Sequence, residues 1–233
     1  MPLSPSVPRE PSHTRAIVIN GYRRSDGLFD IEAQLTDTKS YGFTNEDRGY
    51  IASGVPLHGM WMRMTVADDM TVVACEAASD HTPYAICPTA APNFARLAGL
   101  RITRGFLREA NMRIGGTHGC THLRELLQQM ATTALQTVNP HRAKRAVDAE
   151  AKRGIQTTPG SFDKKITERW GGAPSIMGTC VAYGTTSPVV KRRWPHLYTG
   201  AHDTGLNDTG PNDTTGPNAP QADIVEAVTV GED

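Results

Sequence analysis

The sequence predicts a two-layer α+β fold in which an antiparallel sheet of about four strands packs on helices. Three observations carry this: two stretches alternate apolar and polar residues about a turn, a long stretch repeats its apolar residues at helical spacing, and both ends of the chain turn polar. They bound a disordered arm over 1–14, a single domain over 15–198 and a disordered polar tail over 199–233.

The first alternating stretch starts near Arg15. Ala16-Ile17-Val18-Ile19 leads through Ser25-Asp26-Gly27 into Phe29-Asp30-Ile31-Glu32-Ala33-Gln34-Leu35, a hairpin whose loop has three residues with Gly27 left-handed. That register sets Ile17, Ile19 and Arg23 opposite Leu35, Ala33 and Phe29, so the apolar faces agree. Asp37 to Gly49 reads as a polar loop. In the second hairpin Met60, Met62, Met64 and Val66 form one face, and after a turn at Asp68-Asp69 the residues Val73, Cys75 and Ala77 join it. Cys75 is thereby a core residue and the methionine row is packing. Arg63 can reach Glu76 diagonally, a pair worth ~0.5 kcal/mol if exposed.

Pro92 opens a short helix through Phe94, Leu97 and Leu100, and a second helix, Phe106 to Met112, ends at Gly115-Gly116. The longest helix runs from about His122 to Val138, with Leu123, Leu126, Leu127, Met130, Ala134 and Val138 on its buried stripe, and Asn139-Pro140 stops it. His141 to Arg153 follows as a charged helix and Gln156 to Gly172 as loop. Ile176 to Tyr183 reads as a late strand or extended segment, with Cys180 in the core.

Composition narrows the function. Lysine plus arginine equals aspartate plus glutamate at 24 each in 233 residues, so no overall field favours a nucleic acid or an anionic membrane. No apolar run approaches the ~18 residues of a membrane span, and Met1 to Pro11 lacks the pattern of a signal peptide. The expectation is a soluble cytoplasmic protein. Its four scattered cysteines do not form a secreted disulfide framework, which leaves thiols or metal ligands.

The densest chemistry is Gly115-Gly116-Thr117-His118-Gly119-Cys120-Thr121-His122, a glycine-rich loop feeding a helix N-terminus. There the helix dipole and unpaired N–H groups favour a Cys120 thiolate. His58 stands at the mouth of the third strand, and Cys87 lies between Pro83 and Pro88 on a loop leaving the sheet. Asp80 can serve as ligand or ligand-orienting carboxylate. If the sheet-exit loops and the long helix converge, His58, Cys87, Cys120 and His122 surround one point and suit Zn, or Fe as a single ion or iron-sulfur cluster. A second reading makes Cys120 a nucleophile for acyl or thiol transfer, with His118 or His122 as its base. A third is a structural interaction module.

Several of these segments resemble a known family. Gly21 to Leu28, Gly54 to Met64, Pro83 to Cys87, Leu97 to Leu100, Gly119 to Leu123, Cys180 and Arg193-Trp194-Pro195 are similar to a bacterial family catalogued as domain of unknown function 2889. The likeness spans about Arg15 to Pro195 and implies no particular activity. Gly54 to Gly59 followed by an alternating hairpin with an acidic turn, Tyr84 to Cys87 ahead of a helix, and Cys120 at the start of a long helix also resemble the NifU/IscU-type iron-sulfur cluster scaffolds. That resemblance implies a site at one end of the sheet, with His58, Cys87 and Cys120 at the three cysteine positions of the scaffolds. Imidazole replaces one thiolate, and Met60 stands where the scaffolds carry aspartate. The implied role is an accessory in sulfur or cofactor handling, with a protein partner.

Overall fold

The computed structural model describes residues 3–155 and 177–200, and the chain divides into two compact units, Met1–Lys165 and Ile166–Asp233. In the first, the strands β1 (His13–Arg23), β2 (Phe29–Lys39), β5 (His58–Val66) and β6 (Val72–His81) form an antiparallel sheet in the order β1-β2-β5-β6. A small hairpin, β3 (Phe43–Asn45) with β4 (Gly49–Ile51), sits between β2 and β5 in sequence. Among the described residues of this unit, a run of 3-10 turns over Cys87–Leu97 and two helices, α1 (Phe106–Ile114) and α2 (Thr121–Ala151), follow the sheet.

Alternation decides which face is buried. Phe29, Ile31, Ala33 and Leu35 of β2, with Met60, Met62, Met64 and Val66 of β5, form one core with the α2 stripe. That stripe consists of Leu123, Leu126, Leu127, Met130, Ala134 and Val138, as helical spacing requires. Phe94 and Leu97 of the 3-10 run and Phe106, Ala110 and Ile114 of α1 join the same core. The opposite face is polar. There Arg63 donates to Glu32 and Glu76 on its two neighbouring strands, each at 2.6 Å, and Glu76 lies directly across from it rather than diagonally.

The first hairpin has the three-residue register: Ile17 pairs with Leu35, Ile19 with Ala33 and Arg23 with Phe29, and Arg24 N–H donates to Leu28 C=O at 2.9 Å. Gly27, at φ 89°, closes the loop in the left-handed region that favours glycine.

Several expectations need correction. Ordered strand begins at His13, and Asp37 belongs to β2, not to a loop. Val73 leaves the methionine face because the β5–β6 register shifts beside Thr65: Val66 pairs with Val72 and Thr65 with Ala74, so Val73 is the extra residue of a bulge and is exposed. The segment around Pro92 starts earlier, at Cys87, and takes 3-10 geometry. Helix α1 extends to Ile114, which is fully buried.

Asn139-Pro140 does not stop α2, which continues to Ala151. Contacts on both sides of the proline hold the helix together: Val138 is fully buried, the His141 ring lies 5.6 Å from Phe29, and Arg142 and Arg145 reach Asp68 in the β5–β6 turn. Tertiary contacts here outweigh the local preference.

In the second unit, Met177 to Cys180 form turns and Val181–Tyr183 a 3-10 turn, so the late strand is not formed there and Cys180 is exposed rather than core. Pro188–Arg193 makes a short helix, α3, capped by Ser187, whose Oγ accepts from Val190 N–H at 3.2 Å. The expected loop 156–172, Ile176 and the tail beyond 200 lie outside the described residues.

Candidate functional site

The site grows from a charged residue in the apolar phase of a strand. In β2 the buried positions run Phe29, Ile31, Ala33, Leu35, and the next is Asp37, only 1% exposed. A buried carboxylate requires partners, and the sheet register supplies them. Arg15 of β1 and His58 of β5 are the direct neighbours of Asp37 on either side. Arg15 grips the carboxylate with two bonds, Nε to Oδ1 and Nη2 to Oδ2, each 2.8 Å. His13 Nε2 lies 3.1 Å from Oδ1 and His58 Nδ1 lies 3.0 Å from Oδ2. The remaining Arg15 Nη1 reaches Glu125 on α2, so one network joins three strands to the helix.

Helix α2 supplies the other half. Gly119 sits where a Cβ would lie 2.1 Å from the Ile114 carbonyl oxygen, so only glycine lets the loop fold back onto the end of α1. Cys120 follows in extended conformation as the residue capping α2, its carbonyl accepting from Arg124 N–H at 3.0 Å. His122, in the first turn, then stacks on His58 with ring centroids 3.7 Å apart and planes 30° from parallel. On its other side His122 Nδ1 faces Cys120 Sγ at 3.9 Å.

The electrostatics follow from these contacts. Burial works to raise the Asp37 pKa, but the Arg15 hydrogen bonds and charge, aided by His58 and His13, hold it below the usual carboxylate value. His58 is pushed down by burial and then by His122, against the pull of Asp37. It is therefore the neutral ring that donates Nδ1–H to Asp37 and keeps an Nε2 lone pair. For Cys120, burial works upward, yet the His122 hydrogen bond and the amide N–H groups of Leu123 and His122 at the helix start bring the thiol below its usual value. His122 is raised, chiefly by its hydrogen bond to Cys120.

The arrangement can hold a metal ion. One possible ligand atom from each of Asp37, His58 and His122 lies within 4.8 Å of the others, and no other such group occurs among the described residues. Of the residues that sequence reasoning selected, His58 and His122 come together in that group, while Cys120 lies beside His122 but outside the group. Cys87 begins the 3-10 run, half-buried and outside that group.

Asp80 is also outside it: the second shift of the β5–β6 register, next to Gly59, makes Asp80 the extra residue of a bulge. Its carboxylate accepts from Trp61 Nε1 at 2.6 Å on the polar face of the sheet. His118 is exposed at the end of the 3-10 turn Gly116–His118, and its carbonyl accepts from Asn93 at 2.8 Å. Sequence reasoning missed Asp37, His13 and Arg15. A signal for Asp37 was present, because it continues the alternation of Phe29 to Leu35 where another apolar residue is expected.

A family model described as "Protein of unknown function (DUF2889)" matches residues 13–136, a span that contains His13, Arg15, Asp37, His58, Cys120, His122 and Glu125. No curated protein and no solved structure matches the chain.

Proposed function

We propose, for a chain that belongs to the DUF2889 family of proteins of unknown function, that it binds a divalent transition-metal ion through His58 Nε2 and His122, with the Cys120 thiolate, which lies beside His122 but outside the group of atoms within 4.8 Å, turning in as the third ligand. The observation that carries this is the stacked His58–His122 pair, with Asp37 holding the Nδ1 of His58. Both oxygens of Asp37 are already bonded to Arg15, whose positive charge opposes a cation at the same atoms. Asp37 therefore serves as the carboxylate that orients a ligating histidine and makes it more basic.

Two imidazoles and a thiolate suit Zn or Fe as a single ion. A cluster held by cysteines would call on several thiols at the site, and Cys120 supplies one. Three donors leave the fourth tetrahedral position open. An accessory that accepts or passes on a sulfur or cofactor ligand with a protein partner needs such an opening. A site at the end of a sheet beside a helix start is what the resemblance to the NifU/IscU-type scaffolds implies.

The test is metal and labile-sulfide analysis of protein purified without oxygen, beside His58→Ala, His122→Ala and Cys120→Ala. The expected result is one Zn or Fe per chain without sulfide, lost or strongly depleted in each variant. Metal retained in both histidine variants overturns the reading. The Cys120–His122 contact favours one alternative, a thiol nucleophile with His122 as its base. That reading takes over if the protein is metal-free and Cys120 alone is alkylated rapidly and stoichiometrically.

A further inference from the structure

The outer edge of β1 is long and, among the described residues, unpaired. Among the described residues β1 has a strand neighbour on one side only, β2. Its eleven residues pair without a register shift and include no proline, and its charged residues, Arg15 and Arg23, lie outside its apolar centre.

The backbone groups that face outward can be identified. Just beyond the two ends of the ladder, Arg24 N–H donates to Leu28 C=O and Ser40 N–H to Ser12 C=O. In the unbroken register this makes the even-numbered residues of β1 the ones that exchange hydrogen bonds with β2. The odd-numbered residues His13, Arg15, Ile17, Ile19, Gly21 and Arg23 turn N–H and C=O away from the sheet. Among the described residues none of these outward groups meets a backbone partner, and residues 3–12 are exposed rather than laid over the edge.

We propose that this edge pairs antiparallel with the same edge of a second copy, giving a two-fold dimer with one continuous sheet. The strand complements itself about Val18. With the axis there, His13 pairs with the partner subunit's Arg23, Arg15 with the partner subunit's Gly21 and Ile17 with the partner subunit's Ile19. Every outward residue then exchanges both its hydrogen bonds. Val18, 53% exposed in the single chain, meets its own copy at a non-hydrogen-bonded position, where side chains approach most closely. The apolar centre Ala16-Ile17-Val18-Ile19 covers itself and the polar residues fall at the two ends. The interface is one strand pair about 37 Å long, and the test is set for association in the micromolar range. This inference does not depend on the metal reading.

The test is light scattering after size-exclusion chromatography, from low concentration up to about 0.1 mM, where a dimer with a Kd of ~10 µM is largely formed. It compares the wild-type chain with Val18→Lys, which opposes two like charges on the axis and weakens pairing by about tenfold or more. A concentration-dependent wild-type dimer, with the variant shifted to monomer and its circular dichroism unchanged, supports the proposal. A wild-type monomer throughout, or a dimer indifferent to Val18→Lys, overturns it.

Should Val18→Lys misfold, Val18→Cys in a Cys180→Ser background decides under mild oxidation with oxidised glutathione. The proposal expects a disulfide-linked dimer there and much less from Asn20→Cys, which is off the axis. Equal cross-linking at both positions, or none at Val18→Cys, overturns it.

Discussion

Replacing Asp37 by asparagine tests the centre of the site, since the change keeps the shape and one acceptor oxygen but removes the charge. Taking one partner from a buried ion pair costs about 3–5 kcal/mol, because the other charge stays behind uncompensated. Arg15 is only partly uncovered by the change: it is 33% exposed and keeps Glu125. The expected loss is therefore about 2–3 kcal/mol, read as a fall of ~1 M or more in the urea midpoint. Adding Arg15→Gln to Asp37→Asn removes the stranded charge and recovers part of the loss, a coupling a double-mutant cycle measures.

The pH profile carries a sign. The Asp37 pKa is lowered in the folded state, so its contribution to stability is present above the ordinary carboxylate value near 4 and fades as pH falls towards the folded value. Asp37→Asn removes that part of the acid slope. It also frees the His58 ring and weakens metal affinity about 10- to 100-fold. A loss below ~0.5 kcal/mol, with unchanged acid slope and metal affinity, would refute the assignment of Asp37 as the buried charge that orients His58.

The thiols and the proline in α2 supply the other predictions. With iodoacetamide near neutral pH, Cys120 reacts faster than an ordinary thiol and bound metal protects it, while Cys75, 5% exposed with its pKa pushed up to about 12, stays unreacted until the chain unfolds. Peptide mass spectrometry over time checks this; early labelling of Cys75 would contradict its place in the core. Pro140→Ala restores a backbone donor inside a continuous helix and stabilises the chain by about 1 kcal/mol or more, read by urea unfolding. A destabilised variant would mean that α2 breaks at Asn139.

Period decided most of what the sequence determined by itself. Alternation through Phe29 to Leu35 and Met60 to Val66, and helical spacing from Leu123 to Val138, identify buried faces because a side chain's direction follows from its position along a regular backbone. Gly27 settled the first hairpin in the same local way, and the glycine-rich loop before Cys120 marked a helix start carrying sulfur and imidazole.

What tertiary structure decided was everything set by two segments meeting. The bulge beside Thr65 moved Val73 to the outer face, a shift that no single strand's alternation records. Pro140 sits inside a helix because Phe29 and Asp68 hold the far side of it. Asp37 looks like an ordinary polar residue until the register sets Arg15 and His58 beside it, and His122 becomes a neighbour of His58 only when α2 packs against the sheet. A charge can be buried only where its partners converge, and those partners come from strands and a helix as far apart in the chain as Arg15 and Glu125.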